Sequence, residues 1–443
     1  MKKVLIITYY WAPSGGAGVQ RWVKTAKYLR EFGYEPVVYT PENPEYPSID
    51  HSFERDIPEN LEVIKTKIWE PYNIYRSLFG KKGETINAGF ISENKKMGWK
   101  EWLAIRIRGN LLIPDPRRFW VRPSVKFLYK YLKNNNINAV ITTGPPHSMH
   151  LIGLRLKNKI PDLQWIADFR DPWTDIDFYQ DLHIAPIADF INHRLERKVV
   201  QNCDCLVTVS EGWAAGFTPL KPKRLEVISN GFDDEDIPKD KMSLDVQFSI
   251  AHIGTLNFAR NPHILWKILS EICFENLQFA NDLQIKLIGK IDFSTLEDIR
   301  NYNLRKNLKK IDYLPHIDAI IEQQKSQILL LLINRSANAS GILTGKIYEY
   351  LASNRPILAI GPTDGGVAEI MEETRAGKIV APNDEKAMKT VVLDFYEKYQ
   401  NGKLRVENQN IHQYSRRFLA GKYAKLLDEI KETRLNELLL ENT

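Results

Sequence analysis

An apolar run that ends in a glycine loop and leads into a helix occurs twice in this chain of 443 residues. The first copy is VLIITYY, followed by SGGAGVQR at 14–21, and the second begins with VQFSIAHIG at 246–254. Unbroken apolar runs are typical of strands that are covered on both faces, as in parallel sheets. Strands that alternate with amphipathic helices indicate an α/β fold. Because the pattern restarts, the sequence predicts two doubly wound halves.

The first half contains the pattern strand, glycine loop, helix, strand. Apolar residues at helical spacing predict a helix from Val19 to Phe32, and Gly33 suits the left-handed conformation that ends many helices. Residues 43–115 are irregular and are expected to form an insertion with some helix. Further strands are predicted at 36–40, 138–143, 164–167, 205–209 and 225–228, and helices at 121–133, 148–158 and 187–201.

The second half begins after a polar, turn-rich stretch at 229–243 that is typical of a linker. Its first helix is expected to have Asn261 as cap and Pro262 as first residue. Strands are predicted at 246–254, 283–289, 328–334, 356–361 and 378–382. The expected domains are therefore 1–235 and 244–412, followed by a charged helical segment at 413–443 that could pack anywhere on the surface.

Composition indicates a soluble globular protein, with 43% hydrophobic and 26% charged residues. Three cysteines with one C-x-C pair do not complete a zinc site, so a reducing, cytoplasmic location is expected. The run after MKK passes directly into a glycine loop and a helix, which argues against a signal peptide. No apolar stretch approaches the roughly 20 residues that span a bilayer.

Positive charge is concentrated in one segment. Residues 95–133 contain eleven Lys or Arg and two acids, Glu101 and Asp115, a local excess of nine charges against a net charge of +6 for the chain. Tryptophans and other apolar residues are interleaved with these cations. The segment either lies on an anionic membrane surface, peripheral to the inner face, or packs as an insertion with a solvated basic face. No nucleic-acid-binding motif accompanies the charge, so no nucleic acid partner is expected.

The opening glycine loop has several interpretations. A dinucleotide fingerprint is disfavoured because Arg21 replaces its third glycine and the candidate acid, Glu42, lies beyond the second strand. A P-loop is excluded because no GK[ST] follows. The remaining interpretations are a close backbone approach to a phosphate or sugar at a helix start, and a tight turn without a ligand.

The stretch SGILTGKIYEYLA at 340–352 combines a small-residue loop with a helix from about Gly345, with Thr344 as its expected cap. Lys346 falls in the first turn, where the helix dipole disfavours a cation, so an anion to neutralise it is expected. Glu349 lies on the same helical face and could accept both hydroxyls of a ribose. The alternative is a Lys346–Glu349 pair on the surface.

Seven short motifs in order resemble glycosyltransferase family 4. They are YYWAPSGGAGVQR, ITTGPPHS, IADFRDPW, VTVSEG, VISNGFD, HIGTLNFARNP and GKIYEYLASNRPILAIG. Members of this family are retaining, nucleotide-sugar-dependent enzymes with the GT-B fold, in which two Rossmann-like domains face each other across a cleft. The resemblance implies a nucleoside-diphosphate sugar as donor substrate, no other cofactor, and a polysaccharide or lipid-linked glycan as acceptor.

The resemblance also implies roles for individual residues. Glu349 would bind the ribose, while Arg260 and Lys346 would face the diphosphate. The glycines of the opening loop would reach the nucleotide from the acceptor-binding domain. The remaining implied substrate-binding positions are Gly15, Gly16, Gly254, Thr255, Gly341, Ile342, Leu343 and Thr344.

Two positions depart from the family pattern. Gly341 stands where the family commonly has the first of two glutamates, and Thr255 stands where it often has an arginine. These departures leave the donor sugar open. They also leave open two alternatives, a nucleotide-sugar 2-epimerase of the same fold and a scaffold without catalysis.

His147 and Asp168 are the candidate catalytic residues, each at the carboxyl end of a predicted strand. His147 could polarise the acceptor or contact the transferred sugar, or it could be a structural hydrogen-bond donor. Asp168 lies with Arg170 and Asp171 in a cluster that could equally fix a loop by an ion pair. The D-x-D sequences at 175–177 and 234–236 are interpreted as chance acidic loops, and no metal is expected.

Overall fold

The protein forms two compact units. One comprises Met1–Ser229 together with Arg416–Thr443, here called the N-terminal unit, and the other, the C-terminal unit, comprises Asn230–Ser415. The computed structural model describes residues 1–71, 106–176, 179, 182–238, 242–333 and 343–441. Within these ranges, no helix is long and apolar enough to cross a membrane.

The N-terminal unit is built on a parallel sheet of seven strands in the order β3-β2-β1-β4-β5-β6-β7. The strands are β1 (Lys2–Ile7), β2 (Tyr34–Pro41), β3 (Glu62–Thr66), β4 (Ala139–Gly144), β5 (Gln164–Phe169), β6 (Cys205–Thr208) and β7 (Leu225–Val227). The order reverses between β1 and β4, and ligands of open α/β sheets bind outside the carboxyl ends at such a switch point.

Helices cover both faces of this sheet. They are α1 (Ala17–Leu29), α2 (Arg118–Asn134), α3 (Ser148–Lys159), α4 (Pro186–Asn202), α5 (Glu211–Phe217) and, from the chain end, α13 (Arg416–Glu441), and residues 106–111 are also helical. One face packs around Trp120 and Trp165, and the other around Trp22 and Tyr423. The charged terminal segment, whose position the sequence left open, therefore packs against α1.

The C-terminal unit repeats this plan with a parallel sheet of six strands in the order β10-β9-β8-β11-β12-β13. The strands are β8 (Phe248–Ile253), β9 (Leu283–Ile288), β10 (Leu308–Ile311), β11 (Ile328–Leu332), β12 (Ile357–Ile360) and β13 (Gly377–Val380). The helices are α6 (His263–Glu275), α7 (Leu277–Asp282), α8 (Phe293–Asn301), α9 (His316–Lys325), α10 (Lys346–Ala352), α11 (Gly366–Thr374) and α12 (Glu385–Gln400). The switch point lies between β8 and β11. The predicted pair of doubly wound α/β halves is confirmed.

Two strands were not predicted from the sequence, β3 and β10, and each is the first strand in the order of its sheet. An edge strand has only one neighbour, so exposed polar residues interrupt its apolar pattern. Lys309 and Lys310 are exposed in β10, and Glu62 and Lys65 are exposed in β3. The first of these strands lies inside the region that was expected to be an irregular insertion.

Candidate functional site

The candidate site lies at the carboxyl edge of the C-terminal sheet, where the strand order reverses. Gly254 and Thr255 follow β8 directly, and α10 begins fourteen positions beyond the end of β11 at Leu332. Ile253 donates its backbone N–H to the hydroxyl oxygen of Tyr350 at 3.2 Å, which fixes α10 against the end of β8. This arrangement brings together residues that are more than ninety positions apart in the sequence.

Gly254 and Lys346 are in direct contact. Gly254 has a φ of +124°, a conformation that favours glycine, and its N–H donates to the Ile288 carbonyl at 2.7 Å. A β-carbon added to Gly254 would lie 2.6 Å from Cε of Lys346 and closer still to Nζ. The lysine therefore lies over the bare backbone that follows β8.

The site has an excess of positive charge. Burial and then the charge of Arg260 lower the pKa of Lys346 to about 8, against a smaller opposite effect of Glu349. Burial also lowers the pKa of Arg260. Two cations that are desolvated and repel each other would each be stabilised by an anion bound beside them.

His252, near the end of β8, lies fully buried beneath this charge. Its Nδ1 is 3.1 Å from the Leu330 carbonyl oxygen. Burial lowers its pKa to about 3, and the charges of Lys346 and Arg260 act in the same direction. The imidazole is therefore neutral at physiological pH and adds no third positive charge.

Glu349 does not pair with Lys346. Its carboxylate accepts a hydrogen bond from Nε2 of Gln323 in α9, at 3.3 Å, and the structure gives Lys346 no ion pair with any described residue. The alternative of a Lys346–Glu349 surface pair is therefore not observed. The carboxylate is held by a side chain from another helix, which leaves its second oxygen available.

The other predicted residues of the nucleotide site lie after β8 and before α10. Gly341 and Ile342 lie outside the described residues. Thr255 is exposed, and Leu343 lies against the start of α11, since a β-carbon on Gly366 would be 3.0 Å from its Cδ2. The expectation that Thr344 caps the helix is wrong, because Gly345 occupies the cap position and no side chain caps it.

The predicted cap at the start of α6 is also wrong. Pro262 occupies the cap position, and the helix begins at His263. The side chain of Asn261 instead accepts a hydrogen bond from Trp266 Nε1 at 2.8 Å and donates to Asp298 at 2.6 Å. Asn261 thus ties the loop that carries Arg260 to helices α6 and α8.

In the N-terminal unit, local packing and backbone conformation explain why Gly15 and Gly16 are glycines. Gly15 donates its N–H to the Ser48 carbonyl at 3.0 Å, and a β-carbon there would lie 2.6 Å from the Ser48 hydroxyl. Gly16 caps α1 with a φ of +113° and has open space beside it. The tight-turn interpretation accounts for both residues, and their contact with a nucleotide stays a prediction.

Gly18, the second residue of α1, makes a contact that the sequence did not indicate. A β-carbon on Gly18 would overlap the guanidinium of Arg170, which also pairs with Asp171 at 3.1 Å. An arginine thus lies over the first turn of α1, as a lysine lies over the loop after β8 in the other unit.

His147 directly precedes α3 at the carboxyl end of β4. Its ring stacks on Trp173 with centroids 5.1 Å apart, and its buried Nδ1 has no hydrogen-bond partner among the described residues. Burial lowers its pKa to about 3, and the charge of Arg170 contributes. His147 is neutral at physiological pH, so it can accept or donate a hydrogen bond but carries no charge.

Asp168 lies within β5 and is fully buried. One carboxylate oxygen accepts from Arg21 at 3.0 Å and from the Tyr423 hydroxyl at 2.8 Å. The other accepts from Trp22 Nε1 at 3.1 Å and from the Thr143 hydroxyl at 2.8 Å. The carboxylate is fully used in joining α1, β4 and α13, and this geometry favours the ion-pair interpretation, with Arg21 rather than Arg170 as the partner.

Of the two D-x-D sequences, Asp177 lies outside the described residues. Asp234–Asp236 forms a short 3₁₀ turn capped by Asp233, which accepts from the Glu235 N–H at 3.1 Å. Asp236 also lies 3.7 Å from His316 of α9.

Comparison with known proteins shows the fold. No protein-family profile matches the sequence, and no curated protein matches it either. Among solved structures, the chain is similar to a glycosyltransferase from Rickettsia africae ESF-5, with 13% identity, a TM-score of 0.60 and coverage of 97% of this chain and 98% of the other. It is also similar to WaaG, a glycosyltransferase involved in lipopolysaccharide biosynthesis, with 12% identity, a TM-score of 0.54 and coverage of 96% and 99%.

A third similar structure is named for a different activity. It is a Listeria monocytogenes protein named as a UDP-N-acetylglucosamine 2-epimerase, with 13% identity, a TM-score of 0.57 and coverage of 98% of both chains. At these identities the likeness defines the fold alone. The chain therefore has the two-sheet fold of the GT-B glycosyltransferases, and the fold alone does not define its reaction.

Proposed function

We propose that the protein is a retaining glycosyltransferase that moves a sugar from a nucleoside-diphosphate sugar to a polysaccharide or lipid-linked glycan. In this proposal the C-terminal unit binds the nucleotide, with Arg260 and Lys346 on the diphosphate and Glu349 on the ribose. The N-terminal unit binds the acceptor. The likeness in fold to glycosyltransferases supports the reaction class.

The observation that carries the proposal is the pair of cations at the carboxyl edge of the C-terminal sheet. Lys346 lies on the glycine that follows β8, and burial together with Arg260 lowers its pKa. Separating two such charges would relieve the repulsion, yet helix α10 and the loop after β8 hold them together. A diphosphate supplies negative charge of the size needed to balance them.

The same cations suit the chemistry of sugar transfer. When the bond between the sugar and the diphosphate breaks, negative charge develops on the leaving phosphate. Positive groups already fixed beside that phosphate stabilise the charge without reorganising, and loss of one such group typically costs about 10²-fold or more in rate. We nominate no protein nucleophile.

His147 is assigned to the acceptor side of this proposal, and Gly15 and Gly16 are assigned to the nucleotide, which they would reach from the N-terminal unit. His147 is neutral because burial and Arg170 lower its pKa. A neutral imidazole can donate or accept one hydrogen bond with a sugar hydroxyl without adding charge to the site. Asp168 is assigned a positioning role, since its four hydrogen bonds leave it no capacity for a substrate.

Calorimetry with a panel of nucleoside diphosphates and their sugars tests the nucleotide site. We expect Arg260→Ala and Glu349→Ala each to weaken binding at least about tenfold with an unchanged fold. Arg305→Ala, at the amino edge of the same sheet, and Glu372→Ala, exposed on α11, are matched controls that should bind normally. Normal binding by both site variants would contradict the assignment.

Two further outcomes distinguish the alternatives. If the protein converts UDP-N-acetylglucosamine to its 2-epimer without an acceptor, it is an epimerase, as the name of the Listeria structure suggests for that protein. If no member of the panel binds, the scaffold interpretation is favoured. Release of the nucleoside diphosphate only when a glycan acceptor is present supports transfer.

A further inference from the structure

We infer that the N-terminal unit docks on an anionic lipid bilayer through one surface of its helices. This docking surface comprises the helical residues 106–111, the exposed faces of α2 and α3, and the first turns of α4. All of these elements belong to the N-terminal unit, so the docking surface does not depend on the nucleotide site.

The first observation is a set of large apolar side chains in contact with solvent. Leu111 is 67% exposed, Ile187 77% and Phe190 65%. Ile187, Phe190 and Ile191 have the spacing of one face of a helix, so they project together from the start of α4. Grouped apolar exposure of this kind marks an interaction surface, whereas scattered single residues do not.

Hydrogen bonds join the elements that carry these side chains. Asn110 donates its side-chain N–H to the His183 carbonyl at 3.3 Å and accepts from the Ala185 N–H at 2.6 Å. This fixes residues 106–111 to the loop that leads into α4. Arg118 donates from its guanidinium to the Leu111 carbonyl at 3.1 Å, which ties the same segment to the start of α2.

The second observation is a basic stripe next to this apolar group. Arg118, Arg122, Lys126 and Lys130 follow one another at four-residue spacing along α2, and all four are exposed. Within the described part of the chain, none of them has a carboxylate partner. Half-exposed Phe119 and Phe127 alternate with them on the neighbouring face of the helix.

The stripe borders a groove of about 460 Å³ between α2 and α3. The groove is lined by Arg122, Val125, Lys126, Tyr129, Lys130, Arg155, Asn158 and Lys159, and none of these residues is acidic. Burial and the charges of Arg122 and Arg118 lower the pKa of Arg155. Five cations thus converge on a concave surface that would hold the phosphate of a lipid headgroup.

The combination of features favours a bilayer over a nucleic acid. A polynucleotide would be attracted by the cations alone and gains nothing from exposed isoleucine and leucine. An anionic membrane interface takes both, because apolar side chains enter the acyl boundary while lysine and arginine contact the headgroups. A lipid-linked acceptor would also be presented at such a surface.

Vesicle sedimentation of the full chain tests this inference. We expect binding to vesicles of phosphatidylglycerol and phosphatidylcholine in equal parts, and little binding to phosphatidylcholine alone. Lys126→Glu combined with Lys130→Glu should weaken binding at least about tenfold at low salt. Ile187→Ser combined with Phe190→Ser should remove the fraction of binding that persists at high salt.

The C-terminal unit offers matched controls in Phe274→Ser and Leu277→Ser, since these residues are 94% and 74% exposed. They should leave vesicle binding unchanged, and circular dichroism should show all variants folded. Equal binding to neutral and anionic vesicles, or full binding by both surface variants, would overturn the inference. Binding of a DNA duplex, lost in the lysine variant, without any vesicle binding would reassign the surface to a polyanion.

Discussion

Nζ of Lys346 lies in the space that a β-carbon on Gly254 would fill. Gly254 lies in the loop after β8 and Lys346 is the first residue of α10. The absence of a side chain on Gly254 determines where the charge of Lys346 can lie. The positive φ of Gly254 adds a second reason for glycine there. Gly254 is therefore predicted to affect nucleotide binding through the position of Lys346, and stability through its own backbone conformation.

Gly254→Ala should destabilise the protein and weaken nucleotide binding. The backbone conformation costs a residue with a side chain about 1–3 kcal/mol, and the new β-carbon would displace the lysine. We expect urea denaturation to show a loss of this size in the free energy of unfolding. We also expect the affinity for nucleoside diphosphates to be at least about tenfold weaker.

Gly345→Ala is the control for this substitution. Gly345 has ordinary helical dihedral angles and nothing within 4 Å of its added β-carbon, so less than about 1 kcal/mol should be lost. If both variants lose the same stability and affinity, the contact between Gly254 and Lys346 does not explain the effect.

The lowered pKa of Lys346, about 8, predicts proton uptake on nucleotide binding. At pH 8 the Lys346 amine is therefore neutral in about half of the free protein molecules, and a bound diphosphate favours its protonated form. Affinity should therefore fall as the pH rises through 8, and calorimetry in buffers of different ionisation enthalpy should show proton uptake near that pH.

Lys346→Arg separates charge from titration. Arginine stays protonated throughout this range, so the variant should bind without proton uptake and with a flatter pH profile. Lys309→Arg, exposed on β10, should retain the behaviour of the unaltered protein. An unchanged proton count in Lys346→Arg would mean that another group titrates.

The fold could be predicted from sequence where strands are buried on both sides. The apolar runs of β1 and β11 are unbroken because each strand lies between two others. The first edge strands, β3 and β10, carry exposed lysines, so their pattern does not differ from that of a loop. The position of α13 was also open, since a charged amphipathic helix does not specify which surface it covers.

The candidate site was predictable only in its local parts. A small-residue loop, a lysine in the first helical turn and a glutamate three residues later are visible in consecutive residues. Contacts between distant residues are not visible in the sequence, because they depend on how the helices pack on the sheet. Three such contacts join Gln323 to Glu349, Gly18 to Arg170, and Arg21 to Asp168. The two predicted helix caps are wrong because Asn261 and Thr344, although they are residue types that often cap helices, do not bind the helix ends with their side chains.

Asp168→Asn tests whether Asp168 acts in catalysis or in structure. The substitution leaves the buried Arg21 without its counter-charge, which typically costs about 3–5 kcal/mol. We expect this loss in the free energy of unfolding. Any fall in turnover should follow the folded fraction.

Tyr423→Phe leaves the charge pair in place and removes two hydrogen bonds of the Tyr423 hydroxyl, the one donated to Asp168 and the one accepted from Arg21. This loss should cost about 1–2 kcal/mol, less than the loss of the counter-charge. Arg21→Met combined with Asp168→Leu should lose less stability than the sum of the two single substitutions. A variant of Asp168 that keeps its stability and loses turnover would restore the catalytic assignment.

Gln323→Leu should weaken the ribose contact without affecting the diphosphate contact. Gln323 is buried and donates to Glu349, so its removal frees the carboxylate to rotate away from the sugar hydroxyls. We expect nucleoside diphosphates to bind about threefold to tenfold more weakly, and inorganic pyrophosphate to bind as before, because pyrophosphate has no ribose. Gln324→Leu, the next residue of α9, has no bond to Glu349 and should leave both ligands unaffected. If pyrophosphate binding falls together with nucleotide binding, Gln323 supports the whole site rather than the position of Glu349.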